Sequence, residues 1–148
     1  IYQDAPLSEL TYRVQSGVYR GCRTTPLRGQ AVEAAEPFLR TVTAQGESVL
    51  FLDRFSIGYL ITPAEARTPS SWDPLRYGDG VESAERLLRY FDEYGAPDKI
   101  IFVRSQADSR ISLEDPKNEF AAYVCRHYTQ TDVFSEAGLP MWVYVRNQ

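Results

Sequence analysis

Ser48-Val49-Leu50-Phe51-Leu52-Asp53, with Gly46 just ahead of it, is the stretch whose reading decides the fold. A short apolar run bounded by turn residues reads as a strand buried on both faces, the signature of a parallel sheet covered by helices. Lys99-Ile100-Ile101-Phe102-Val103-Arg104 repeats the pattern, with a helix-like segment between the two. Together they predict an α/β fold, a three-layer Rossmann-like sandwich around a central, mostly parallel sheet. Val133–Ser135 and Met141–Val145 flank Ala137-Gly138-Leu139-Pro140, too short a connection for a crossover. That pair is expected to add an antiparallel C-terminal hairpin at the sheet edge.

The totals describe one domain, residues 1–148, long enough to bury roughly two thirds of its unfolded surface. Hydrophobic residues make up 43%, charged residues 24%, and the net charge is -4. An acidic balance without a basic stripe argues against a nucleic-acid partner. Lys99 and Lys117 are the only lysines, so arginine supplies the remaining positive charge. No run approaches the ~20 apolar residues of a membrane span, so none is expected within these residues. The sequence does not open on Met, and Ile1 reads as a cut end of something longer.

Outward from the two apolar runs, Leu27, Ala31, Ala35, Phe38 and Val42 recur at helical spacing after Thr25-Pro26. Thr25 suits a cap and Pro26 the first helical position, while Pro37 should kink or split the helix. Val81, Ala84, Leu87, Leu88 and Phe91 mark a second helix that Gly95 stops. Asp115-Pro116 repeats the cap-plus-proline opening for a third, carrying Phe120, Ala121, Val124, Cys125 and Tyr128. Residues 1–10 read as an extended lead-in, and Tyr12–Tyr19 as a strand with Gly17 as a bulge. Arg54–Thr62 reads as a short helix or turn. Pro63–Gly80, rich in Pro, Ser, Gly and Asp, is the longest irregular stretch, a kind that is usually functional or mobile.

The chemistry in these residues is sparse. Neither G-x-G-x-x-G after a strand nor G-x-x-x-x-G-K-[ST] is present, and G-x-S-x-G is missing. Asp53 is the best candidate acid, because ligands of open α/β sheets gather beyond the carboxyl ends of the strands. Its plainer role is to cap the next turn or to pair with Arg54. Arg104 and Asp108, beyond the second run, would meet Asp53 at the same edge and form a ligand-binding rim. Trp72 and Tyr77, in the long loop, could offer an aromatic platform for a sugar ring or simply pin the loop down. His127 is the only histidine, which leaves it a structural role by default. Asp92-Glu93 and Glu114-Asp115 are adjacent in sequence and diverge on a helix, so they read as solvated charge. Cys22 and Cys125 are either two buried thiols or one long-loop disulfide, the latter requiring an oxidising compartment. No metal ligand set and no cofactor is expected.

Taken in order, several motifs carry a family resemblance. Gly17-Val18-Tyr19-Arg20-Gly21 runs into Thr24-Thr25, then Ser48-Val49-Leu50-Phe51 and Ile57-Gly58-Tyr59-Leu60-Ile61-Thr62. Thr68-Pro69-Ser70-Ser71-Trp72, Ala96-Pro97-Asp98-Lys99-Ile100-Ile101 and Val143-Tyr144-Val145-Arg146 complete the set. The chain resembles the soluble C-terminal domain that follows the last membrane span of large polytopic bacterial proteins. Those proteins are similar to membrane glycosyltransferases that use lipid-linked sugar donors. The resemblance implies an extracytoplasmic domain tethered to the membrane and a parent concerned with cell-envelope glycans. It also implies contact with the parent's membrane domain, and with glycan or envelope protein. Catalytic acids of such transferases lie in loops between membrane spans, so no catalytic residue is carried over. The resemblance thus favours a non-catalytic accessory domain. Two other readings stay open, a free-standing binder of small ligands such as sugars or nucleotides, and an enzyme using Asp53 as acid or base.

Overall fold

The computed structural model describes residues 5–52, 55–71, 74–75, 81–103 and 118–148. After a 3-10 turn at Leu7–Glu9 come strands β1 (Tyr12–Arg13) and β2 (Arg23–Thr24), then helix α1 (Pro26–Val42). Strand β3 (Ser48–Leu52), helix α2 (Gly58–Ile61) and strand β4 (Glu65–Ala66) follow. Helix α3 (Val81–Tyr94), strand β5 (Lys99–Val103) and helix α4 (Glu119–His127) precede the closing strands β6 (Tyr128–Phe134) and β7 (Met141–Arg146). Among the described residues no helix is long and apolar enough to cross a membrane.

The fold is mixed α/β; among the described residues there is one sheet of five strands in the order β4-β3-β5-β7-β6 and a separate β1–β2 pair. Parallel pairing joins β3 to β4 and to β5, while β5–β7 and β7–β6 are antiparallel. The sheet is therefore parallel in one half only. The expected C-terminal hairpin forms the far edge, and its first strand begins at Tyr128, directly after α4.

The two apolar runs behave as their composition requires. Every residue of β3 is buried, and so are Ile100 to Val103 of β5. Successive side chains alternate between two hydrophobic clusters, as a period of two demands. Val49, Phe51, Ile101 and Val103 pack with Ala35 and Leu39 of α1 and Ile61 of α2. Leu50, Leu52, Ile100 and Phe102 pack with Leu87 and Phe91 of α3 and Phe120 and Val124 of α4. Gly95 ends α3 at φ 86° and donates its N–H to the Phe91 carbonyl at 2.8 Å, a left-handed stop that suits glycine.

Several expectations need correction. Helix α1 runs from Pro26 to Val42 through Pro37, whose ring is exposed, so the helix is not split there. Thr25 makes no side-chain cap bond, and Leu27 is exposed rather than part of the buried stripe. The strand expected over Tyr12–Tyr19 is only Tyr12–Arg13. It pairs with β2 across a loop that holds Gly17 at φ 73°, so Gly17 is a loop residue and not a bulge. Helix α4 is capped by Asn118, whose Oδ1 accepts the Ala121 N–H at 3.1 Å. The expected opening at Asp115-Pro116 lies outside the described residues. The stretch after Pro63 contains β4, a two-residue strand with both residues exposed and so without any apolar signature.

Because β4 is so short, the next outward-facing amide of β3, that of Phe51, has no strand to meet. It donates instead to the Tyr59 hydroxyl at 3.0 Å. Burial holds the Tyr59 phenol above its ordinary pKa, offset in part by that amide and by Thr68, so it stays protonated at neutral pH. Tyr59→Phe should cost about 1–3 kcal/mol in urea unfolding, the penalty of an orphaned buried amide, with little change in slope. A loss under about 0.5 kcal/mol would mean that the amide finds another acceptor.

Candidate functional site

Asp53, Arg104, Asp108, Trp72 and Tyr77, the candidate ligand-binding residues, all lie outside the described residues. What the structure fixes is where the chain leaves the sheet towards them. Leu52 ends β3 and Val103 ends β5, and these two strands are parallel neighbours with Leu52 paired to Phe102. The two strands therefore end side by side at one margin of the sheet. That is the place where ligands of α/β sheets collect.

At the opposite end of the same strands, acids and bases tie the fold together. Asp98 accepts from both the Ser48 N–H and the Ser48 hydroxyl at 2.7 Å, clamping the start of β3 to the start of β5. Burial pushes the Asp98 carboxyl up, but the two Ser48 bonds, with Arg146 and Arg67 nearby, bring it below its ordinary value. Lys99 Nζ reaches Glu47 and the Val42 carbonyl, each at 2.7 Å, fastening the end of α1 beneath the strands. A polar cavity of about 470 Å³ opens beside them, walled by Glu47, Asp98, Lys99 and Arg146.

A second constellation docks the β1–β2 hairpin on α1. Glu33 accepts the Tyr12 hydroxyl at 2.7 Å and the backbone N–H groups of Gln15 and Ser16. The Gln15 amide, then the Tyr12 hydroxyl, hold the Glu33 carboxyl below its usual range. Glu36 accepts the Val18 N–H at 3.2 Å and pairs with Arg40 at 3.1 Å. Gly29 lets the helix approach closely, since a Cβ there would meet the Tyr12 ring at 2.2 Å. Between hairpin and helix lies a cavity of about 610 Å³. Val14, Tyr19 and Arg23 wall it on one side, Arg28 and Ala31 on another, and Phe55, just after β3, closes it. Leu139, shortly before β7, also lines it, so the cavity lies towards the carboxyl ends of β3 and β5.

None of these lining residues stood out in the sequence as a site. Arg23 and Arg28 do bracket the Thr24-Thr25-Pro26 helix opening, but the hairpin that gathers them carries no pairing signature. His127 is an exposed residue at the end of α4, its ring 4.6 Å from that of Tyr123, in keeping with a structural part. Asp92 and Glu93 are solvated as expected. Among the described residues no group of three or more His, Cys, Asp or Glu is arranged to hold a metal ion.

The cysteines overturn both readings offered for them. Cys22 is a free thiol, and Cys22 and Cys125 are each exposed rather than buried. Cys22 lines the hairpin cavity on the α1 side of the sheet, whereas Cys125 rides on α4, whose buried residues belong to the other cluster. A disulfide needs Cα atoms within about 7 Å, which a sheet interposed between the two does not allow.

No protein-family model, no curated protein and no solved structure matches the chain.

Two measurements follow from this geometry. Removing the Asp98 acceptor in Asp98→Ala leaves the buried Ser48 donors unmet, at about 1–2 kcal/mol near neutral pH, allowing for the carboxylate's exposure. A carboxyl held low by folding stabilises above its unfolded pKa. The difference between parent and variant should therefore be full above about pH 4 and shrink as the pH falls further. A pH-independent difference would detach the carboxylate's charge from the clamp. Thiol titration of the unreduced, denatured protein should find two thiols per chain, and fewer than two would restore the disulfide.

Proposed function

We propose that the chain is a non-catalytic extracytoplasmic accessory domain of a bacterial membrane protein, glycosyltransferase-like and engaged in cell-envelope glycan assembly. The observation that carries this reading is how the described acids are used. Glu33, Glu36, Glu47 and Asp98 each hold one element of the fold to another, and the polar cavity that Glu47 and Asp98 wall has Lys99 already bonded to Glu47 and Ser48 already bonded to Asp98. The family resemblance, spread over nearly the whole chain, supplies the parent, the tether and the location. Its partners are then the parent's membrane domain and glycan or envelope protein. We read the fold in the same spirit as a Rossmann-like three-layer sandwich with a parallel centre. The β4-β3-β5 order puts the first parallel strand between the next two, and apolar clusters line alternate residues of β3 and β5.

A second reading, a small-ligand domain for a sugar or nucleotide, is favoured by the adjacent exits at Leu52 and Val103. Its site would be Asp53, Arg104 and Asp108, with Trp72 and Tyr77 in the roofing loop.

The first reading is tested in intact cells expressing the natural gene. A membrane-impermeant maleimide should label the exposed Cys22 without lysis, and the reading frame upstream of Ile1 should encode many apolar spans. Labelling only after lysis, or a frame that starts within a few residues of Ile1, overturns it.

A further inference from the structure

We propose that the cavity between the β1–β2 hairpin and α1 binds a small amphiphile, an apolar body carrying one anionic head. The proposal does not depend on the cellular location. A volume of about 610 Å³ falls in the range that encloses small organic ligands. The floor is apolar, formed by Ala31, Val32, Phe55 and Ile57, of which Ala31 and Phe55 are buried. The mouth is cationic. Arg23 is an exposed side chain at its edge, Arg28, which is engaged in a contact of its own, adds positive charge beside it, and among the described lining residues none is acidic.

These two halves select different parts of one molecule. A guanidinium presents paired N–H donors that fit a carboxylate or a phosphate, and its charge strengthens each bond. The floor offers no polar side-chain atom and rewards a hydrocarbon body by removing it from water. A neutral sugar would satisfy neither half, and a cation would face like charge at the entrance. The hairpin wall is already held on α1 by Glu33 and Glu36, so little order has to be gained when a ligand enters.

Cys22 supplies the test, because it lines this cavity while Cys125 on α4 does not. Alkylation of each thiol by N-ethylmaleimide is followed by peptide mass spectrometry with octanoate, octyl phosphate or octanol, each below its micellar range. Saturating octanoate or octyl phosphate should slow Cys22 alkylation at least about tenfold and leave Cys125 within about twofold. Octanol should need at least about tenfold more to do the same, since it lacks the charge-assisted head contact. Whichever anion protects at the lower concentration identifies the head group. Arg23→Glu, a surface change, should erase the advantage of the anions. Val32→Trp, which fills the floor, should abolish protection by all three. Failure of both anions to protect Cys22, equal protection by octanol, equal slowing of Cys125, or an anion preference that survives Arg23→Glu would each overturn the proposal.

Discussion

A strand buried on both faces has no water to fall back on, so each of its amides must find a partner inside the protein. That constraint on Ser48–Leu52 organises much of what surrounds it. The Ser48 amide meets the Asp98 carboxylate, and the Phe51 amide meets the Tyr59 phenol. Glu65 and Arg67 donate back to the Glu47 and Val49 carbonyls. The short helix after the strand carries the Tyr59 that accepts the Phe51 amide. Asp98 stands immediately before β5 and so sets the neighbouring strand in register as well as satisfying Ser48.

How much of this was legible follows from what each segment buries. Val49 to Leu52 and Ile100 to Val103 are apolar on both sides, which only a covered sheet tolerates, and they were readable at once. The α3 stripe of Ala84, Leu87 and Phe91 was readable for the same reason. β4 was not, because Glu65 and Ala66 are both exposed and their pairing is purely backbone. At the N-terminus, Tyr12, Val14, Val18 and Tyr19 suggested one longer strand. Only Val14 of these is fully buried, and the turn at Gly17 lets Arg23–Thr24 fold back against Tyr12–Arg13. A mostly parallel sheet was a fair extrapolation from β3 and β5, yet β7 inserts beside β5 in the opposite direction.

The candidate sites divide in a similar way. A rule about strand ends pointed to Asp53 and Arg104, which lie outside the described residues. The hairpin cavity was out of reach, because it draws on four separated segments of chain and Arg23 and Arg28 look like ordinary surface arginines one by one. The cysteines misled because sequence separation says nothing about which side of a sheet a thiol occupies. Glu33 and Glu36 show the converse: side chains that read as helix surface are what fix the hairpin in place.

The Tyr59 phenol has one more consequence. It occupies the position on the outer margin of β3 where an incoming strand would otherwise form its next ladder bond, and β4 beneath it offers only two residues to copy. At the other margin, β6 carries an irregularity between Gln130 and Asp132 that interrupts its rim. Both rims are thus poor templates for an intruding chain, which guards the molecule against edge-to-edge fibre growth.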